Sequence, residues 1–315
     1  MCLSRIPDRQ FIGAIMPVPP ISIVIPSHHR ADLLRHCLAS VQTHSPFGTQ
    51  VIVVDDGSRD EVIGQTASEF TGVEVIRHPR PLGFCRAANA GIAASRAPII
   101  EMLNDDTKVT ADWADAALKR FRDPAVGAVA PLVLQGPRGD AVPVIDSAGD
   151  EYDLGGFARK RGHGLPLCHT YLESCDVFGA SASSAFYRAD VLRVVGGFPD
   201  DFGAYFEDVD LAWRIGRAGY RTIYEPASRV WHLVGSSYRK RRVLIERQSQ
   251  NEERVFWRNV PNLWKALPRH AAVLAGKAIR RWHEGTLIPF AAGRFRVLAE
   301  VSAIARHRRG VVSGR

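Results

Sequence analysis

The sequence predicts an α/β fold: a doubly wound, mostly parallel sheet followed by a basic helical C-terminal region. Through residues 21–134, apolar runs of strand length alternate with helix-length segments, the pattern of parallel strands joined by right-handed crossovers. Two acidic patches, Val53-Val54-Asp55-Asp56-Gly57-Ser58 and Leu103-Asn104-Asp105-Asp106-Thr107, begin where such a run stops. Both therefore fall at strand carboxyl ends, where open α/β sheets place their ligands. The charge is also lopsided: residues 239–315 hold 18 Lys and Arg against 5 Glu, so with +8 overall the first 238 residues carry −5.

Taken in order, Ile21–Pro26 reads as the first strand, and Ala31–His44 as a helix with Leu33, Leu34, Cys37, Leu38 and Val41 on one face. Val51–Val54 is the second strand, Asp60–Phe70 a helix, Val73–Arg77 the third strand, and Phe84–Ser95 a helix whose small residues allow close packing. Ile99–Leu103 is the fourth strand, and Thr110 is placed to cap a helix carrying Trp113, Ala117 and Phe121. After the run Val126–Leu134, residues Gln135–Leu167 show no periodicity and read as a long excursion. Val177–Tyr187 reads as a strand, Arg188–Val195 as a short helix, Glu207–Ala218 as a helix stopped by Gly219, and Arg221–Tyr224 as a strand. Beyond Ser236 the pattern is helical and basic.

With 315 residues, 46% hydrophobic and 23% charged, the chain has the make-up of a globular protein with a full core. The five cysteines form no C-x-x-C pair, which argues against a disulfide framework or a zinc knuckle and for reduced, mostly buried thiols. No apolar stretch approaches the roughly 20 residues of a spanning helix, and Met1–Pro20 lacks the apolar heart of a secretory signal. A cytoplasmic protein is expected. An acidic body with a cationic tail fits attachment to an anionic surface better than nucleic-acid binding, and no nucleic-acid partner is expected.

The acidic patches carry the chemistry. Asp55-Asp56-Gly57-Ser58 has a plain reading as a turn, with Gly57 supplying positive φ, and a functional one in which Asp55 or Asp56 accepts a hydrogen bond from a nucleotide base or ribose. Asn104-Asp105-Asp106 is more than a turn requires. Consecutive oxygen-bearing side chains suit a hard divalent cation that completes its shell with substrate phosphate and water. In Glu207-Asp208-Val209-Asp210 the acids favour a helix N-terminus, and Asp210 can pair with Arg214 one turn on, whereas Asp208 has no obvious partner. Asn89 either hydrogen-bonds a nucleotide or holds its own loop.

Together with Ile21–Arg30 (I-S-I-V-I-P-S-H-H-R), Pro81–Ile92 (P-L-G-F-C-R-A-A-N-A-G-I) and Gly196–Gly219 (G-G-F-P-D-D-F-G-A-Y-F-E-D-V-D-L-A-W-R-I-G-R-A-G), these patches resemble the family 2 glycosyltransferases of GT-A fold, in the wording of their rhamnosyltransferase-like branch. The resemblance spans Ile21 to Ser237. It implies a nucleotide-sugar-binding half at 21–134, an acceptor-binding half at 135–237, a flexible segment at 1–20 and a basic helical region at 238–315. It also implies that Asp55 and Asp56 contact the nucleotide, that Pro26 and Ser27 line the base pocket, that Arg30 is among the nucleotide-sugar-binding residues, and that Asn104, Asp105 and Asp106 stand where the family has D-x-D. Because Asn104 is neutral, Asp106 becomes the main protein ligand of Mn2+ or Mg2+, with His232 beside it, and the metal leans on the substrate diphosphate. Asp208 falls on the base, with Glu207, Ser181 and Ser183 on the acceptor side; Glu207 and Asp210 are expected to raise its pKa above the usual 3.9 or so.

The implied reaction is a single inverting displacement on a nucleoside-diphosphate sugar by an acceptor hydroxyl of a saccharide or a lipid-linked sugar. In the C-terminal region Val297, Leu298, Val301, Ile304 and Ala305 recur at helical spacing amid Arg294, Arg296, Arg306, Arg308 and Arg309. This is either a helix packed on the catalytic domain or a peripheral contact with the anionic inner face of the plasma membrane. The competing classes are a sugar nucleotidyltransferase, against which the absence of a glycine-rich phosphate loop after the first strand counts, and a catalytically silent membrane-surface scaffold.

Overall fold

The computed structural model describes residues 18–136, 141–233 and 241–312. Most of the expected flexible segment 1–20 and the expected boundary at 237/238 lie outside the described residues. In chain order the elements are β1 (Ser22–Ser27), α1 (Ala31–His44), β2 (Gln50–Asp55), α2 (Val62–Ser68), β3 (Val73–Arg77), α3 (Phe84–Ala94), β4 (Ile99–Leu103), β5 (Thr107–Val109), α4 (Trp113–Arg120), β6 (Val126–Gln135), β7 (Ile145–Ser147), β8 (Asp150–Asp153), β9 (Phe157–Lys160), β10 (Cys175–Val177), β11 (Ser184–Arg188), α5 (Ala189–Val195), α6 (Glu207–Arg217), β12 (Arg221–His232), α7 (Arg241–Asn259), α8 (Leu263–His283), α9 (Leu287–Arg296) and α10 (Val301–Val312).

The main sheet runs β10-β12-β6-β11-β4-β1-β2-β3, with β5 against β12 and β7 against β6. β1 is parallel to β2 and β4, β2 to β3, and β6 to β12, while β11 lies antiparallel between β4 and β6. Helices cover both faces because successive strand side chains point to opposite sides. Thus Val24 joins the cluster containing Cys85 and Ala88 of α3 and Leu211 of α6, whereas Ile23 and Ile25 join Leu34 of α1 and Trp113 of α4. Helix α3 lies so close to β1 that a Cβ on Gly91 would sit 2.2 Å from Val24 Cγ1. Small residues on α3 are therefore a packing requirement.

The structure corrects several expectations about elements. The 135–167 excursion contains β7 and the β8–β9 hairpin, with Asp150 opposite Lys160. The expected strand Val177–Tyr187 is two strands, β10 and β11, separated by the buried Ala180–Ser183 stretch. β12 continues to His232, so Trp231 and His232 lie within a strand rather than past one. Thr110 does not cap α4; its hydroxyl donates to Arg229 O at 3.0 Å, and Asp112 precedes the helix in the left-handed conformation. Cys37 and Cys85 are buried, but Cys168 is exposed.

The C-terminal helices spend much of their positive charge internally. Arg294 pairs with Glu252 and Glu253, Lys277 with Glu252, Arg258 with Asp201 and Arg254 with Glu300. Arg308 donates to the carbonyls of Trp257 and Val260. Val297 and Ile304 are buried, so part of the predicted apolar stripe packs on the body, while Leu298 and Val301 are exposed. The side chain of Arg309 is outside the described residues. No helix among the described residues is long and apolar enough to cross a membrane.

Candidate active site

The carboxyl ends of β1, β2 and β4 bring the first group of residues together. Pro26 and Ser27 close β1 beside Val54 and Asp55 of β2. The Asp56 N–H donates to Ser27 O at 2.9 Å, and Ser27 Oγ donates to Asp105 Oδ2 at 2.7 Å, so one serine ties the two acidic patches. Asp55 Oδ1 accepts from the Ser58 N–H at 2.9 Å; its Oδ2 has no hydrogen bond among the described residues and lies 3.5 Å from Arg77 Nε. Asp56 accepts from the N–H groups of Leu82 and Gly83, both at 2.8 Å, and its Oδ1 lies 3.0 Å from His78 Nδ1. Asp56 thus fixes the entry to α3. Gly57, at φ +71°, has its missing Cβ 2.2 Å from Arg80 C, so the turn requires glycine for both angle and space.

At the end of β4, the three residues of the second patch diverge. Asn104 is held by its backbone: its N–H donates to Ser183 O at 3.0 Å, and its carbonyl accepts from Thr107 Oγ1 at 2.7 Å. Asp105 turns toward β1, where its Oδ1 lies 3.1 Å from Arg30 NH1. Burial pushes its pKa up to about 6 against the pull of Arg30 and Ser27. Asp106 accepts from Arg30 NH2 at 2.7 Å and lies 3.1 Å from His232 Nε2. Burial opposes its charge, but His232 and Arg30 win and hold its pKa below the usual carboxylate range.

His232 reaches Asp106 because β12 pairs antiparallel with β5, matching His232 to Thr107, the residue after Asp106. Its Nδ1 lies 3.1 Å from Asp146 Oδ2. Burial disfavours the imidazolium, yet the two carboxylates outweigh it and raise the pKa to about 9. Asp106 Oδ1 is buried without a well-formed hydrogen bond despite its nearness to His232 Nε2. That separation suits a shared cation, since two neighbouring ligands on an octahedral ion with bonds of about 2.1 Å stand about 3 Å apart. Among the described residues no three His, Cys, Asp or Glu side chains gather around one point. An ion here would take two protein ligands and draw the rest from water and phosphate.

The second group is built on α6. Asp208 Oδ2 accepts from the Ala182 N–H at 3.1 Å, and Oδ1 from the N–H of Val209 at 2.9 Å, with no side-chain donor among the described residues. Burial raises its pKa, while the Ala182 N–H and Lys160 pull the other way. Glu207 is buried, its Oε2 without a hydrogen bond among the described residues, and burial, then Asp208, raises its pKa well above normal. Asp210 belongs elsewhere: it pairs with Arg214 at 2.8 Å and accepts from Asn259 Nδ2 at 2.8 Å, and burial, in place of the expected push from Glu207 and Asp210, is what raises the Asp208 pKa. Ser181 and Ser183, their hydroxyls 3.2 Å apart, flank Ala182 in the segment that joins Asn104 to Asp208.

Three residues of the chemistry are missing from the sequence reading, and all come from the 135–167 excursion. Asp146 on β7 receives Lys160 Nζ at 2.8 Å as well as His232. Burial notwithstanding, those two cations depress its pKa strongly. Asp150 on β8 is buried, and burial and then Asp208 push its pKa up to about 8. Gly155-Gly156 between two short runs is a hairpin signal that would have revealed β8 and β9. The turn itself docks on α8, where Gly155 O lies 2.7 Å from His270 Nδ1, while further along the Gly155–Gly164 stretch Lys160 Nζ and His163 Nδ1 both reach the Asp146 carboxylate, at 2.8 and 3.4 Å. Asn89, within α3, ties that helix to the segment before α6: Nδ2 donates to Phe198 O and Asp200 Oδ1 at 2.8 and 2.9 Å, and Oδ1 accepts from the Phe198 N–H at 2.8 Å.

A family model described as Glycosyl transferase family 2 matches residues 22–191, from β1 through the first turn of α5. The chain belongs to glycosyl transferase family 2. A family relative, the pre-mycofactocin glycosyltransferase of Mycobacterium tuberculosis (strain CDC 1551 / Oshkosh), is 32% identical over 217 residues, covering 67% of this chain and 42% of that protein. The chain therefore spans less than half the length of that relative. The N-acetylglucosaminyl-diphospho-decaprenol L-rhamnosyltransferase of the same organism is 25% identical over 231 residues, covering 67% of this chain and 75% of that protein. Among solved structures, the mannosyltransferase PcManGT from Pyrobaculum calidifontis, in complex with GDP-Man and Mn2+, aligns with TM-score 0.57 and 21% identity over 93% of this chain and 83% of that one. GalNAc-T7 with UDP, GalNAc and Mn2+ aligns at 0.59 and 18% identity over 76% of this chain and 48% of that one. The glycosyltransferase fold expected from the motifs is the fold observed, with the mostly parallel sheet and C-terminal helices in place.

Proposed function

We propose that this chain moves a sugar from a nucleoside-diphosphate sugar to a hydroxyl of a saccharide or lipid-linked acceptor, with inversion, in the assembly of a cell-surface polysaccharide or glycolipid. One observation carries the reading. The segment Ser181–Ser183 joins the end of β4 to the start of α6, through Asn104 N–H to Ser183 O and Ala182 N–H to Asp208, so the edge we read as donor-binding shares one wall with a buried carboxylate held by backbone N–H groups.

In this reading the base and ribose lie along the β1 and β2 ends near Ser27, Arg30 and Asp55. Arg30 is a bidentate donor that can pass from Asp106 to the incoming diphosphate, for which a guanidinium is well shaped. Asp106 and His232 are the residues that would hold Mn2+ or Mg2+; a bound cation supplies Lewis-acid stabilisation of charge on the departing diphosphate. Asp208 accepts the proton of the acceptor hydroxyl as its oxygen bonds to the anomeric carbon. The bond from that carbon to the diphosphate oxygen breaks, and the electron pair leaves with the nucleoside diphosphate. The raised pKa of Asp208 improves it as a base. A single base acting from the face opposite the leaving group requires inversion.

The surface of the C-terminal helices supports a peripheral contact with an anionic membrane. Trp264 and Trp282 on α8 are 86% and 71% exposed, with Ile279, Ile288, Phe295, Leu298 and Val301 also outside. Amphipathic aromatic residues with Lys and Arg nearby are the chemistry of a membrane interface. A relative whose name includes a decaprenol-linked acceptor is consistent with such a position.

The test is nucleoside diphosphate release across a panel of UDP-, GDP- and dTDP-sugars with Mn2+, Mg2+ or EDTA. The expected result is cation-dependent release with at least one donor, and a product whose anomeric configuration, read by NMR, is opposite to that of the donor. Retained configuration would overturn the single-displacement reading.

A further inference from the structure

The path into the start of α6 is conformationally costly. Gly203, Tyr205 and Phe206 have φ of +69°, +72° and +66°, the left-handed region that residues with a Cβ adopt rarely. Such conformations persist only where the surroundings over-determine them, and they cluster at functional sites. Here the surroundings come from α7. Asn251 is fully buried, and its Nδ2 donates to the carbonyls of Phe202, Ala204 and Tyr205 at 3.0, 2.9 and 2.9 Å. Three carbonyls within four residues thus converge on one amide nitrogen. Asn251 Oδ1 is fixed in turn by Arg254 NH1 at 2.9 Å, which also donates to Asp201 O at 2.7 Å.

From the opposite side, Gly203 O accepts from the Cys85 N–H at 3.1 Å in the first turn of α3. The Leu82–Gly83 entry to that helix is the one Asp56 holds. The turn that precedes Asp208 is therefore gripped between the nucleotide-side loop and the C-terminal region. Residue 251 lies outside the family match at 22–191.

We infer that Asn251 is a positioning residue for Asp208. It holds residues 202–206 in the left-handed turn that aims the first residues of α6 at the Ala182 N–H. It touches no reacting atom. The inference deepens the proposed role of Asp208 and makes α7 part of the active-site scaffold.

Hydrogen exchange of the 202–208 amides, steady-state kinetics and nucleoside diphosphate affinity are compared in wild type, Asn251→Ala and Asp208→Asn. In Asn251→Ala, exchange at 202–208 is expected to rise at least about 10-fold with the rest of the chain unchanged. Misplacement of the base is expected to lower kcat by roughly 10²-fold, with the donor KM and nucleotide affinity within about 2-fold of wild type. Wild-type exchange and kcat in a folded variant, or faster exchange spread over the whole chain, would overturn the inference. Wild-type turnover in Asp208→Asn would remove the base reading instead, and local exchange alone would then decide whether the clamp exists. Should the alanine variant fail to fold, Asn251→Ser, which keeps one donor, is read by the same criteria.

Discussion

Glu101 lies in the middle of β4, fully buried, and accepts from Trp113 Nε1 at 3.1 and 3.2 Å and from Ser184 Oγ at 3.0 Å. Burial outweighs these donors and pushes its pKa up to about 8. Between about 4.5, the unfolded value, and about 8 the folded chain keeps a proton that the unfolded chain has released. Stability must therefore fall as pH rises through that window and level off above it. Glu101→Gln keeps the acceptor for Trp113 and Ser184 without the titration, so the slope of Tm against pH between 5 and 8 is expected to flatten. Asp146 makes a second prediction at this scale. A carboxylate behind a ligating imidazole fixes its orientation, and losing such a partner typically costs 10- to 100-fold in metal affinity. Asp146→Asn is expected to weaken Mn2+ binding by about that factor in a titration followed by EPR; an unchanged affinity would remove Asp146 from the role. Asp55, Asp106 and Asp208 were legible because an apolar run or a helix start marks their position. Asp146 was not, because its strand is three residues long and carries no period.

Elements joined by local signals were readable, and those joined by pairing were not. Helix α1 and strands β3 and β4 have the expected boundaries, since each is a single amphipathic or apolar run. β7, β8 and β9 are held by partners far along the chain, and short mixed-polarity segments do not announce their neighbours. The break between β10 and β11 was hidden for a related reason: Ala180–Ser183 is as buried as a strand although it pairs as a turn. The tight seat of α3 on β1 gives a test of the packing. Gly91→Ala gains helix propensity but drives its Cβ into Val24, and overpacking of this kind costs about 1–3 kcal/mol. A lower denaturant midpoint with an unchanged m value is the expected outcome.

For the whole molecule, the carboxyl edge of the sheet's parallel half gathers Ser27, Asp55 and Asp105, the Ser181–Ser183 segment ties that edge to α6, and the C-terminal helices support the turn before Asp208. The basic composition of that region suggested a surface, yet much of its charge neutralises Glu252, Glu253, Glu300 and Asp201 inside the fold. Composition counts charges without saying what they face. The proposed membrane contact is tested at this scale: replacing the exposed Trp264 and Trp282 with Ser is expected to reduce sedimentation with phosphatidylserine-containing vesicles, with the fold and nucleotide affinity unchanged. The proposed function has Asp106 and Asp208 act on one bound donor. Turnover and nucleoside diphosphate affinity, measured side by side in Mn2+, test it most directly. Asp208→Asn is expected to keep nucleotide affinity and lose at least about 10²-fold in turnover, while Asp106→Asn loses both; wild-type turnover in either variant would rule this pairing out.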